Sequence, residues 1–517
     1  MRVAMQTFGS DGDIRPFIAL GASLRQAGHE ATLLAASIDN TDYTLPCTVV
    51  DIGYRRVPEE IHITQQRIRE FAAMRNPVAA LRETFHETFI PYVRQMYDEA
   101  LALCEQSDVI VSHFSAYPAM AAARKVGIPH VSLCFWPGMI RSRHYPVDDP
   151  LLGPLLNPLL QHVVRRLFDR ALHKDMAALW HDIGLEVPHH IIPNMWFSDC
   201  LTLVAASPTL WPAPGNWPSN VKQCGYLRFP EPATPEEPDH RLDRFIGAGP
   251  PPVYMTFGSQ QQTRAYENMW LLIDAARMSG VRAVVQVTEQ DTPRLGQQDH
   301  DLFLTRRTPH ALAFRGCRAV VHHGGAGTLY TATATRSASL VVAHNDEQYS
   351  WGKRAQALRI GPPPLRRSRV TVRSLARSIR EVAKNDSYRT TAERLAGRMQ
   401  YERRSETDPV HLIESVVDAT DRHRARLSGW PPLSHGESPR GPHLSRMQPS
   451  STRVVRGQRA RKRRCHTGRG AARCHPNLET GLHLRVRRVH WPTTPSSFMS
   501  NMRSSLGPMA CPAPSSP

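Results

Sequence analysis

Residues 318–334 read RAVVHHGGAGTLYTATA. Ala319–His323 is apolar up to its last residues and reads as a buried strand. Gly324, Gly325 and Gly327 follow at once, and a helix is expected to begin near Ala326–Thr328. Glycine lets a backbone approach a ligand closely and take positive φ. The first N–H groups of the new helix, at the positive end of its dipole, make a site for phosphate oxygens. His323 and Thr328 could donate to the same oxygens. The same residues also make a tight strand-to-helix turn with no ligand, and glycine content alone does not separate these readings.

Outward from this junction the pattern repeats. PVYMTFGS (252–259) is a strand running into a glycine turn. Glu267–Ser279 reads as a helix, and Val281–Val287, Asp301–Thr305 and Leu340–Ala343 as strands. In the first half, strands are expected at Arg2–Thr7, Ala31–Ala35, Asp108–Val111 and His130–Leu133. Helices are expected at Ile14–Gln26 and Ala119–Lys125. Strands alternating with helices imply a parallel sheet covered on both faces. The predicted fold class is therefore α/β, with two Rossmann-like domains facing each other across a cleft. Ligands of such sheets bind beyond the carboxyl ends of the strands. Longer, mostly helical stretches at 39–105 and 141–195 could wall an apolar cleft or simply pack.

The proline-rich, acidic run FPEPATPEEPDHRLDRFIGAGPPP, preceded by PAPGNWPSN and a short strand-like piece, reads as a linker. The expected domains are 1–205, a connecting segment 206–252, a second domain 253–425 and a tail 428–517. The tail lacks helical or strand periodicity and reads as disordered, rich in Arg, Pro and Ser. It holds 15 of the 64 Lys and Arg but 2 of the 46 Asp and Glu, so it supplies +13 of the net +18. Residues 1–427 are left with +5, which removes the charge argument for a folded nucleic-acid-binding domain. The tail is expected to touch RNA or acidic membranes only without specificity. Its CHTGRGAARCH fits no common zinc spacing. No apolar run is long enough for a membrane span. The nine cysteines form no CxxC pair, which points to reduced thiols and a cytoplasmic protein.

TFGSDGDIRPFIALG (7–21) places Asp11 and Asp13 at the carboxyl end of the first strand. Asp13 reads either as a helix N-cap, with Pro16 in the first turn, or as a carboxylate aimed into the cleft. DGD also matches an Asp-x-Asp metal motif, but no metal is expected here.

HHGGAGT, followed by NDEQYSWGKRAQALRIGPPP, resembles the donor-binding signature of nucleotide-sugar glycosyltransferases of the two-domain GT-B class. More narrowly, the chain resembles family 1 enzymes of the bacterial and sterol type, which glycosylate lipids, sterols, macrolides and glycopeptides. GSDGDIRPFIALG and VYMTFGS fit the same family in the same order, over about residues 1–425. The resemblance implies an acceptor-binding first domain and a nucleotide-sugar-binding second domain. It places His323 at the diphosphate, with Gly324, Gly325, Ala326, Gly327 and Thr328 around it. Gly258 and Ser259 match the loop over the phosphates. Glu347 and Gln348 stand where the family has an Asp-Gln pair on sugar hydroxyls. Asp13 takes the position of the base, and Asp11 stands where GSRGD versions of the loop carry Arg. His113, Phe135 and Trp136 are candidate acceptor contacts.

The implied reaction is inverting, metal-independent transfer of a hexose from a UDP- or TDP-sugar to a hydroxyl of an apolar acceptor. No cofactor is implied beyond that co-substrate, and no specific nucleic-acid partner. The chain departs from the pattern at Ser337, Ala338, Ser339 and His344, where a Gly-x-Pro turn and a later proline are usual. TPHALAF lacks a nearby tryptophan. These departures leave a second reading, an impaired nucleotide-sugar-binding protein of the same fold. A nucleotide-sugar epimerase shares the architecture but would not need the GSDGD loop.

Overall fold

The computed structural model describes residues 1–61, 77–143, 153–229, 240–258, 265–287, 300–305, 308–402 and 407–428. Ser259 and the whole of 429–517, including CHTGRGAARCH, lie outside the described residues.

Two wholly parallel sheets form the protein. The first holds β1 (Arg2–Gly9), β2 (Glu30–Ser37), β3 (Gly53–Arg56), β4 (Val109–His113), β5 (His130–Cys134), β6 (Leu201–Val204) and β7 (Val221–Gln223). Their order is β3-β2-β1-β4-β5-β6-β7. The second holds β8 (Val253–Met255), β9 (Ala283–Gln286), β10 (Leu302–Thr305), β11 (Ala319–His322), β12 (Ala338–Ala343) and β13 (Leu365–Arg366), in the order β10-β9-β8-β11-β12-β13. Every described pairing is parallel, as the alternation of strands and helices requires. Central strands are buried on both faces. β11 and β12 have no exposed residue, so they read as continuous apolar runs rather than alternating ones.

In each sheet the order reverses once, between β1 and β4 and between β8 and β11. Successive connections leave to opposite sides at such a point, so the loops part and open a crevice there. The residues following β1, β4, β8 and β11 are the ones the sequence singled out.

Some boundaries differ from expectation. β7, expected as a strand-like piece within the connecting segment, hydrogen-bonds beside β6 and extends the first sheet beyond residue 205. The helix Pro409–Ser428, expected to end the second domain, packs Val410 and Ile413 into the core of the first sheet. His29 Nε2 meets Glu414 Oε1 at 2.8 Å there. The first helix starts at Asp11, not Ile14, because Ser10 rather than Asp13 is its N-cap.

One apolar cluster includes side chains from both halves of the chain. Cys134, Val204, Leu210 and Trp211 belong to it with Leu329, Tyr330, Trp351, Leu395 and Met399. Trp211 and Trp351 meet edge to face, with ring centroids 4.8 Å apart. Arg354 Nε donates to the Leu210 carbonyl at 2.6 Å in the same region. Trp351 lies on the helix Asp346–Ala357, which also carries Glu347 and Gln348. Its packing therefore ties a candidate sugar-binding pair to the segment that follows the first sheet. Trp351→Ala is expected to destabilise the protein by about 3–5 kcal/mol, as full truncation of a buried aromatic does. Urea unfolding measures this, and a loss under about 1 kcal/mol would contradict the packing role.

Candidate active site

Asp13 sits at the third position of the helix Asp11–Gln26. Its Oδ2 accepts from the Ser10 backbone N–H at 2.9 Å and lies 3.3 Å from the Ser10 hydroxyl. This is the carboxylate half of a capping box. Gly9 makes the fold-back feasible. Its φ is +144°, and a Cβ there would fall 2.2 Å from Asp13 Oδ2. The other oxygen, Oδ1, faces His113 Nε2 at 3.7 Å. Capping and facing the crevice thus use different oxygens of one carboxylate.

His113 ends β4, across the switch point from Asp13. Its side chain is 8% exposed, against 34% for Asp13. Its Nδ1 lies 2.8 Å from Ser115 Oγ and 3.4 Å from the Ser115 backbone N–H. Burial pushes its pKa down to about 3, so the ring is neutral at pH 7. At 3.7 Å a neutral ring makes no ion pair with Asp13 and is beyond a good hydrogen bond. Phe135 stands 5.6 Å from His113 and 6.2 Å from Phe17, ring to ring, so it joins this group. Trp136 instead packs with the cluster around Trp351.

Asp11 points elsewhere. Its Oδ1 accepts from Tyr43 Oη at 2.7 Å and from Arg15 Nε at 3.3 Å. An arginine at this place could not accept the tyrosine proton, which gives the charge reversal a local structural role.

The second crevice is built around His323. Gly258 has φ +55°, and a Cβ there would lie 3.0 Å from His323 Cε1. A Cβ on Gly325 would lie 2.5 Å from His323 Nε2. Glycine at both places leaves room for the imidazole. Gly325 is also the N-cap of the helix Ala326–Ala334 and offers no side-chain cap to it. The first-turn N–H groups are therefore left for another acceptor. A Cβ on Gly327 would meet Tyr226 Oη at 2.7 Å, and Tyr226 stacks on Tyr330 at 4.0 Å. Gly324, at φ +95°, lies against Gln348; a Cβ there would be 2.7 Å from its carbonyl oxygen. Thr328 is buried. Burial lowers the pKa of His323 to about 4, so this ring is also neutral before any anion arrives.

Gln348 is positioned by its neighbours. Its backbone N–H donates to the N-cap Asn345 at 2.9 Å, and its Oε1 accepts from the His344 N–H at 2.8 Å. A proline at 344, the residue the resemblance leads one to expect, has no N–H to make that bond. Ser337 is likewise accommodated: its buried hydroxyl lies 3.1 Å from the Cys317 carbonyl oxygen.

The charge of Asp13 bears on Glu347. Burial raises the Glu347 pKa to about 7, and the negative charge of Asp13 adds to it. Burial likewise raises Asp13 to about 6, opposed by its bonds from Ser10 and helped by Asp39. Among the described residues, no group of three or more His, Cys, Asp or Glu side chains could hold a metal ion.

Several contributors were not singled out from the sequence. Ser10 was legible as the start of an S-x-x-D box, and Asn345 as the cap preceding Asp346 and Glu347. Ser115 stands two residues after His113, whereas Tyr226 and Trp211 had no local signal, because the chain brings them in from distant segments.

The comparisons fit this geometry. Residues 269–418 match the family model of the erythromycin biosynthesis protein CIII-like C-terminal domain. O-mycaminosyltylonolide 6-deoxyallosyltransferase of Streptomyces fradiae is 26% identical, over 82% of this chain and 99% of its own. Sterol 3-beta-glucosyltransferase of Arabidopsis thaliana is 23% identical, over 74% of this chain and 62% of its own. The structure of the Streptomyces sp. SF2575 glycosyltransferase SsfS6 with thymidine diphosphate aligns at a TM-score of 0.52. It shares 19% identity and covers 80% of this chain and 99% of its own. The two sheets, their crevices and these matches define a nucleotide-sugar glycosyltransferase of the GT-B class. The relatives it resembles include a 6-deoxyallosyltransferase and a sterol glucosyltransferase.

Gly9→Ala is expected to force Asp13 out of its box. Stability should fall by about 1–3 kcal/mol from the positive φ and the clash. Turnover should fall while nucleotide affinity, read by thermal shift, is unchanged. Unaltered turnover would show that the orientation of Asp13 does not matter.

Proposed function

We propose that the protein transfers a hexose, with inversion and without a metal, from a UDP- or TDP-sugar to a hydroxyl of an apolar acceptor such as a sterol, lipid or polyketide. The proposed division of labour puts the acceptor on the domain of the first sheet and the donor on that of the second. The observation that carries the reading is the apolar cluster in which Cys134, Val204 and Trp211 pack with Trp351, on the helix that bears Glu347, and the charge of Asp13 bears on Glu347 in the same sense. It supports a single gap shared by residues of both halves.

An acceptor hydroxyl is a poor nucleophile at neutral pH. Asp13 Oδ1 takes its proton as the oxygen bonds to the anomeric carbon. The bond from that carbon to the diphosphate breaks on the opposite face, which inverts configuration. Charge growing on the diphosphate is met by the N-terminus of the helix Ala326–Ala334 and by an N–H of His323. Gly258 and Ser259 close over the phosphates, and Gly324, Gly325, Gly327 and Thr328 complete the cradle. Glu347 and Gln348 hold sugar hydroxyls. Glu347 accepts when ionised and can donate when protonated, and its pKa near 7 lets it do either close to neutrality. His113 and Phe135 form the floor beneath the acceptor oxygen, with Trp136 on the apolar side.

Asp13→Asn is expected to lower kcat by about 10²–10⁴, the range for loss of a general base. Stability at pH 7.5 should hold or rise, because a carboxylate with a raised pKa is ionised there at a cost. Near-normal turnover at saturating donor would refute the role of Asp13 as base.

The rate should fall as pH drops through about 6, where Asp13 takes up its proton. Asp13→Asn removes the charge that helps raise Glu347 and should lower the pKa of the Glu347 carboxyl, read by carbon-13 resonance of labelled glutamate. A Glu347 pKa that stays in place or moves up would contradict the shared gap.

A further inference from the structure

The helix Gly153–Asp182 carries a face that neither crevice uses. Its residues Leu155, Leu159 and Val163 are 74%, 60% and 45% exposed. At 100° per residue they lie on one arc, and the same arc continues through Arg166, Arg170 and Lys174. All three of these cations are exposed, and none has a hydrogen-bonded or ion-paired partner among the described residues. The arc spans about 100° of the helix surface and about 28 Å of its length.

The helix holds three acids, and two of them are occupied away from the arc. Asp169 accepts from the Ile191 N–H at 2.9 Å and lies 2.8 Å from His190 Nδ1. Asp175 lies 2.8 Å from His86 Nε2. Asp182 ends the helix about 80° beyond the edge of the arc, two turns past Lys174. The exposed arc is thus apolar for its first ten residues and purely cationic for its next ten. Leu156, Leu160 and Val164 beside the apolar part are only partly buried.

We propose that this face docks the protein on an anionic lipid surface. Leu155, Leu159 and Val163 enter the boundary of the acyl chains, while Arg166, Arg170 and Lys174 meet the headgroup phosphates. The order of the two halves tilts the helix, with its N-terminal end the deeper. Exposed leucine and valine at helical spacing beside unpaired cations provide both signals that stable peripheral binding requires. A water-facing role leaves the apolar half unexplained, and a purely hydrophobic partner leaves the three cations without anions. The inference does not depend on the transfer chemistry.

The test is flotation of the full chain with vesicles of phosphatidylcholine, with and without 30% phosphatidylglycerol, at low and at 0.5 M salt. Any contact of the basic tail with anionic vesicles is electrostatic, so its share vanishes at high salt. At 0.5 M salt, the triple variant Leu155→Gln, Leu159→Gln, Val163→Gln should bind anionic vesicles at least tenfold more weakly than the unaltered chain. At low salt the variant Arg166→Gln, Arg170→Gln, Lys174→Gln should bind anionic vesicles more weakly than the unaltered chain, keeping only the tail's share, and should bind phosphatidylcholine vesicles equally; unchanged binding to anionic vesicles would overturn the role of these cations. Thermal unfolding of both variants should match the unaltered chain. Equal binding by the triple variant, or no binding by the unaltered chain at high salt, would overturn the proposal. So would a concentration-dependent dimer that the triple variant abolishes, since a second copy would then occupy the face.

Discussion

Parallel strands whose order reverses must send successive connections to opposite sides, and the backbone at that place is left facing a gap. This protein has the reversal twice, between β1 and β4 and between β8 and β11. Four functional candidates follow from it. His113 ends β4 and Asp13 stands in the first turn of the helix after β1; Gly258 and His323 follow β8 and β11. Because the four strands are buried and parallel, the positions of these residues are fixed by the sheets rather than by the loops. Chemistry placed there inherits the rigidity of two cores.

Glycine decides how close the functional groups come. Gly9 admits the Asp13 carboxylate against its own backbone, and Gly258 and Gly325 flank the His323 ring. Burial then sets the charge states. His113 and His323 are held neutral, while Asp13 and Glu347 are pushed toward neutrality from below. The gap is therefore a place where proton transfer costs little near pH 7. In the proposed reaction an incoming diphosphate would change that balance, because its negative charge favours a protonated His323 and disfavours an ionised Asp13.

Much of this was legible in the sequence, and the reasons differ from element to element. The strands around HHGGAGT announced themselves because buried parallel strands are continuous apolar runs bounded by glycine. β3, β6 and β13 did not, being short and set in otherwise helical or irregular sequence. β7 was visible as a strand-like piece, yet its place beside β6 could not be read, since pairing across the linker is a tertiary fact. The return of the helix Pro409–Ser428 to the first sheet was hidden for the same reason. Asp13 shows a different limit. Its sequence offered an N-cap or a cleft-facing carboxylate as alternatives, and the structure gives one oxygen to a capping box and leaves the other facing His113. The substitutions at Asp11 and His344 looked like departures only until their partners, Tyr43 and Gln348, were in view.

The opposition of Asp13 and the diphosphate cradle is best tested by titrating the Asp13 carboxyl itself. Carbon-13 resonance of labelled aspartate, assigned with the Asp13→Asn variant, gives its pKa with and without saturating thymidine diphosphate. A bound dianion in the same gap should raise that pKa clearly above its starting value near 6. A pKa indifferent to the nucleotide, with binding verified by thermal shift, would mean that the two groups do not share a gap.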